Sequence, residues 1–232
     1  LRISNLSKKV GVKNCQIPPN HLIKGGSKAT SILKGDSIKF FLEIIMVVTK
    51  EKLYTFAEYL NYRDSTDNKY ELFNGELISM APASGFHALI LRYIFKVLER
   101  EIERLQLDWQ VMPATVGIRT DKAKSRIPDL MILTAEQCQE IRNMTTAVIE
   151  FSPLLVVEIV RPSNADDDYR YKRSEYAVRG IPEYWIIDPI ALKISVLTLI
   201  SGFYELAEFN NKDRIISVTF PDLQLTPQMV FE

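Results

Sequence analysis

Cysteine, excess charge of either sign and long apolar runs are all scarce in this chain of 232 residues, and each scarcity excludes something. The two cysteines, Cys15 and Cys138, lie far apart and match no metal-ligand spacing or redox pair. A disulfide scaffold is therefore out, and a reducing cytoplasm is the natural compartment. Lys and Arg number 29, as do Asp and Glu, so no global basic field advertises nucleic acid. Contact with nucleic acid would have to rest on a local patch. The longest apolar stretch, Phe40 to Val48, is broken by Glu43 and is too short to span a bilayer. It has no small-residue cleavage site, so it does not read as a signal peptide, and no membrane role is expected. Internal repeats are absent as well.

What is present begins with a change of texture. Residues 1–45 are rich in Lys, Ser, Asn and Gly, carry Pro18-Pro19 and Gly25-Gly26, and show no sustained periodicity. They read as a poorly ordered leader, most clearly up to Ser37. Met46 then reads as the functional start of a domain over 46–232, with the leader the product of an upstream start codon.

From Thr55 the pattern is legible. Thr55 and Glu58 form a capping box for a short helix, Phe56 to Arg63. Tyr70–Phe73 and Glu76–Met80 flank Asn74-Gly75, a strong hairpin signal. Ala88 to Leu105 has apolar residues at the spacing of an amphipathic helix. Trp109–Ile118 and Arg126–Leu133 read as strands joined by the polar stretch Arg119–Ser125. Gln137–Ile149 reads as a short helix and loop, and Leu154–Val160 as a strand buried on both faces. Asp166–Arg179 reads as a helix stopped by Gly180. A buried strand ending at Asp188-Pro189 follows, then a hairpin, Lys193–Leu199 with Phe203–Phe209, turning at Ser201-Gly202. The expected class is mixed α/β (α+β), a central mixed sheet flanked by helices.

Two acids stand out against that frame. Asp129 follows Pro128 and opens the run Leu130-Met131-Ile132-Leu133, and Glu158 interrupts Leu154-Leu155-Val156-Val157-Glu158-Ile159-Val160. An ionised carboxylate inside a buried strand is costly unless it is paired, hydrogen-bonded or bound to a metal. Two strands that each deliver one acid point to a divalent-metal site. Magnesium, or manganese in its place, suits a few hard carboxylate oxygens, and such an ion supports phosphodiester hydrolysis. Lys172 is the best cation to orient the water or stabilise charge on the phosphate. Tyr169, Lys172 and Tyr176 fall at i, i+3 and i+7 on one helix face.

The residues also resemble a family. Tyr70-Glu71-Leu72 with Gly75-Glu76-Leu77, then Pro82 and His87, Pro128-Asp129-Leu130, Val156-Val157-Glu158-Ile159-Val160, and Lys172 with Tyr176 and Gly180-Ile181-Pro182-Glu183-Tyr184-Trp185, closing on Asp188-Pro189, are similar to the Uma-two family of restriction endonucleases. That family is common in cyanobacteria and belongs to the PD-(D/E)XK nuclease superfamily. The resemblance implies a restriction-endonuclease-like core and a metal-dependent nuclease acting on DNA. It makes Asp129 and Glu158 the motif acids. The superfamily pattern asks for lysine at 160, where this chain has Val160, and the family recruits a lysine from the following helix, which matches Lys172. Many nucleases of this fold cut duplexes as dimers, which makes a homodimer an expectation.

Other readings stand beside these. Glu71 either joins the metal site from the first hairpin or faces solvent like Glu76. His87 reads as a capping or packing residue near Ser84. Asp166-Asp167-Asp168 reads as helix N-terminal acids rather than a metal cluster. Arg161, Arg170, Arg173 and Arg179 touch phosphates or form a solvated face, and Tyr184 and Trp185 read as core. Against the enzyme stands a nuclease-like fold kept as a non-catalytic binding module for nucleic acid or protein, and a metallo-hydrolase of another phosphoester would show the same site.

Overall fold

The computed structural model describes residues 52–162 and 165–232. The leader over 1–45, the start at Met46 and Cys15 lie outside the described residues. The described chain is mixed α/β, built on two sheets with helices against them.

Thr55 caps α1 (Phe56–Leu60), and both arms of its capping box with Glu58 are formed. Asn61 ends that helix, short of the Arg63 expected from sequence. The hairpin β1 (Tyr70–Phe73) and β2 (Glu76–Ser79) turns at Asn74 and Gly75, both at positive φ, 52° and 89°. These are the dihedrals of a type I′ turn, which matches strand twist. A Cβ at Gly75 would also stand 3.2 Å from that of Leu53, so two constraints select glycine there.

Helix α2 (Gly85–Arg104) buries Ile90, Ile94, Leu98 and Ile102 on one stripe. Each such side chain contributes about 1.5–3 kcal/mol by leaving water. The stripe packs on Leu130, Ile132, Leu155, Val157, Trp185 and Ile187.

Where the sequence suggested two long strands, the structure has four shorter ones shared between the sheets. They are β3 (Gln110–Pro113), β4 (Gly117–Asp121), β5 (Lys124–Arg126) and β6 (Leu130–Leu133). Pro113 is the last residue of the edge strand β3 and Pro128 lies between β5 and β6, and a proline has no N–H with which to carry a ladder onward. After α3 (Ala135–Arg142) and β7 (Val148–Ile149) comes β8 (Leu155–Ile159), buried throughout. Asp167–Lys172 is a π-helical turn that leads into α4 (Arg173–Arg179), and Gly180 closes the helix at φ 79°. The chain ends with β9 (Glu183–Asp188), β10 (Lys193–Ile200), β11 (Phe203–Asn210) and α5 (Pro227–Phe231).

The larger sheet runs β11-β10-β9-β8-β6-β3 and the smaller β2-β1-β5-β4-β7. In the larger, β8 pairs parallel with β9 and antiparallel with β6. One face of it carries α2. The other carries Val156, Val160, Tyr184 and Ile186 against Tyr176 of α4 and Val116, Ile118 and Ile149 near the smaller sheet. Among the described residues no helix is long and apolar enough to cross a membrane.

Candidate active site

Position 129 lies where the chain passes from the smaller sheet to the larger. The β6–β8 register pairs Leu130 with Val157, which sets Asp129 beside Glu158 one step along. Side chains alternate along a strand. Asp129 therefore shares a face with Met131 and Leu133, and Glu158 shares one with Val156 and Val160. Those four pack together in one apolar cluster. The two acids leave neighbouring strands on the same face.

Both are buried, Asp129 at 6% and Glu158 at 3% exposure. Asp129 Oδ2 accepts the Ile159 backbone N–H at 2.8 Å, and Oδ1 lies 3.1 Å from His87 Nε2. Glu158 Oε1 accepts the Tyr176 hydroxyl at 2.8 Å and meets Lys172 Nζ at 3.0 Å. The same ammonium stands 2.9 Å from Asp168 Oδ1. That second contact is an ion pair off hydrogen-bond alignment, since among the described residues Asp168 Oδ1 is buried without a hydrogen-bond partner.

Asp129, Glu158, Asp168 and Lys172 line a cleft of about 180 Å³, together with Glu71, Ile127, Met80, Ala81 and Arg161. Lys172 is buried, not solvated, and it reaches the cleft from the π-helical turn. Lys172 and Tyr176 converge on Glu158 Oε1, but the Tyr169 hydroxyl donates to Asp188 Oδ2 at 3.0 Å. The uniform face expected for Tyr169, Lys172 and Tyr176 is split because the first two sit in π geometry, outside the 3.6-residue period.

The second correction concerns the three aspartates. Asp166 is exposed, whereas Asp167 pairs with Arg126 at 3.1 Å and Asp168 is buried in the cleft. They are not simply acids at a helix start. Glu71 is buried at the cleft while Glu76 is exposed. It accepts the Ile127 N–H at 2.9 Å and Arg126 Nη1 at 3.0 Å.

Arg126 is the residue that sequence reasoning passed over. Its side chain is buried and bonds Glu71, Asp167 and Glu175, the last through Nε at 2.8 Å and Nη2 at 3.0 Å. Burial opposes its charge, but the three carboxylates more than offset that and hold the guanidinium firmly protonated. An arginine opening a strand read as buried, just ahead of Ile127-Pro128-Asp129, was the available signal.

The cluster is short of positive charge. Burial pushes Glu158 up to about 8, against the pull of Lys172, and Asp168 and Asp129 push the same way. Asp168 is raised for the same first reason. Lys172, despite its burial, is raised well above its ordinary value by Glu158 and Asp168. The sign for stability follows. A carboxyl raised in the fold binds a proton that the unfolded chain has released, so its contribution is complete below the unfolded value of 4.5 and is lost as pH rises through about 8. We expect urea-unfolding midpoints of the metal-free protein to fall between about pH 5 and pH 8.5, and the slope to flatten in Glu158→Gln. An unchanged slope in that variant would place the proton elsewhere.

The pattern described as "Putative restriction endonuclease", Uma2, matches residues 56–228. The chain belongs to the Uma2 family. An uncharacterized Synechocystis protein, sll1609, is 29% identical over 151 residues, covering 65% of this chain and 83% of that protein. A crystal structure described as a putative nuclease belonging to DUF820 from Anabaena variabilis superposes with a TM-score of 0.63 at 18% identity, covering 76% of this chain and 97% of that one. At that identity the likeness concerns the fold. The mixed sheets and helices of this Uma2 chain are thus shared with a family whose description is that of a nuclease.

Proposed function

We propose that the chain is a metal-dependent endonuclease that hydrolyses DNA phosphodiester bonds in the cytoplasm. In this reading Asp129 and Glu158 hold a magnesium ion, Lys172 supplies positive charge at the phosphate, and Glu71 is a further acid of the same site. The observation that carries it is the meeting of Asp129, Glu158 and Lys172 in one cleft, on one face of β6 and β8.

The donor set suits the ion. Among the described residues no group of three or more His, Cys, Asp or Glu forms a ready metal cage. Magnesium does not need one, because it binds through one or two carboxylates and keeps waters and substrate phosphates as its other ligands. Manganese takes similar oxygen donors. Glu158 and Asp168, both buried and both raised, share the single Lys172 ammonium, and such a place gains from a further cation. When bound, such an ion polarises the phosphate and makes water a better nucleophile.

The chain's own groups divide the remaining work. Asp129 and Glu158 offer oxygens already fixed by Ile159, His87 and Tyr176. The Tyr176 phenol is held well above its ordinary value, by burial first and Glu158 second, so it stays a donor. Lys172 reaches Glu158 and Asp168 with its ammonium, which has three N–H groups in all and can turn one toward a phosphate oxygen. A homodimer would bring two such clefts to a duplex, one for each strand.

Nicking of supercoiled plasmid with magnesium, with manganese and with chelator tests the proposal. Lys172→Ala should slow nicking by about 10²–10³-fold, the scale for losing one charge-stabilising donor, while manganese binding persists. Nicking that survives chelator would remove the metal from the scheme, and parent-like nicking by Lys172→Ala would remove the lysine. A second reading, a binding module on the same fold, draws on Val160, which is buried in the apolar cluster where the superfamily pattern has lysine. A parent that binds DNA and never cuts it would favour that reading.

A further inference from the structure

We infer that His87 is the positioning residue that presets Asp129 for its ligand, an inference resting on the proposed metal site. His87 is 3% exposed, and its Nε2 lies 3.1 Å from Asp129 Oδ1. Asp129 has its other oxygen on the Ile159 N–H, so each carboxylate oxygen is held once, from two different elements. Such double tethering removes rotation about the Cβ–Cγ bond and leaves one acceptor site on each oxygen open.

The two ordinary roles for this histidine do not account for its ring. Helix capping is done by the backbone, since Ser84 Oγ accepts the His87 N–H at 3.2 Å. Packing alone favours an apolar side chain, because among the described residues His87 Nδ1 is buried without a partner. A leucine there would cover the same surface and leave no orphaned nitrogen. The imidazole is thus a costly choice for stability, and its one polar contact among the described residues is Asp129. An Nε2–H donated to a carboxylate oxygen explains it. Groups that hydrogen-bond metal ligands orient them and tune their basicity, and losing one typically costs about 10- to 100-fold in metal affinity or activity.

Two variants separate positioning from structure. His87→Leu removes the donor and keeps apolar bulk, while His87→Gln carries an amide N–H that can reach the same oxygen. We expect His87→Leu to bind manganese about 10- to 100-fold more weakly in calorimetry, with unfolding midpoints equal to or above the parent's. Plasmid nicking should show the loss in its manganese requirement, and His87→Gln should recover most of both. A metal-free readout is the Ile159 amide, whose proton shift in ¹⁵N-edited spectra reports the Asp129 carboxylate it touches. That shift should move in His87→Leu and return in His87→Gln.

Parent-like manganese affinity and an unmoved Ile159 amide in His87→Leu would overturn the inference and leave the nuclease reading standing. Loss of stability in proportion to loss of binding would make His87 a packing residue, which also overturns it. A parent that binds manganese but cuts no DNA would sink the nuclease reading alone. A parent that binds no manganese overturns both.

Discussion

Replacing Asp129 or Glu158 with alanine is expected to reduce magnesium-dependent nicking at least about 10³-fold and to leave the chain folded. A bound ion supplies several kcal/mol of stabilisation to charge developing on the phosphate, and each 1.36 kcal/mol is tenfold in rate. The fold tolerates the change because the acids crowd one another. Glu158 is raised by its own burial, and Asp168 and Asp129 add to it, so removing one carboxylate relieves repulsion in the rest. Lys172 keeps Asp168 as a partner when Glu158 is gone. Glu158→Gln is the cleaner variant, because an amide oxygen still accepts the Tyr176 hydroxyl and only the charge is lost. Asp129→Asn likewise keeps an acceptor for the Ile159 N–H. Nicking rates, manganese calorimetry and urea unfolding together decide the matter. Either alanine variant cutting within tenfold of the parent would end the two-acid scheme.

Arg126→Ala should be the most destabilising single change at the site, by about 3–5 kcal/mol, because it leaves buried carboxylates without their cation. Glu71, Asp167 and Glu175 all pair with this one guanidinium. Lys124 would remain near Glu175 at 3.4 Å, but it cannot serve the other two. Lysine at 126 should restore little, since a point charge cannot reproduce bonds from Nε, Nη1 and Nη2 at once. Urea denaturation with a two-state fit measures the loss. A change under about 1 kcal/mol would mean that the network contributes no more than a surface pair.

Much of this was readable in advance. A carboxylate in or beside an aliphatic run signals itself, which is why Asp129 and Glu158 stand out in the sequence. The Asn74-Gly75 turn and the Thr55 capping box were legible too, because their chemistry is local and both lie within a few residues of sequence. The division into two sheets was harder. The strands read as Trp109–Ile118 and Arg126–Leu133 run straight through the prolines at 113 and 128, and which strand pairs with which depends on contacts across the whole chain. Arg126 and Asp168 were missed for a related reason. Charged residues usually face water, and nothing in their immediate neighbours tells that the smaller sheet and the π-helical turn close over them. Their burial is a tertiary fact. So is the contact of His87 with Asp129, which spans 42 residues.

The π-helical turn has a further bearing on how such a site can vary. A lysine two places after Glu158, just past the end of β8, would be held in phase with it, because the extended chain there fixes both the face and the spacing. Here the ammonium arrives on a separate element, with Asp168, Lys172 and Tyr176 spaced by fours through Asp167–Lys172 and into α4. The wider turn sets the angular offset between the residues before and after it. The acids keep their places on a rigid, fully buried strand pair, while the cation's azimuth depends on a six-residue stretch outside the sheet. Substitutions there can retune where positive charge sits without disturbing strand register.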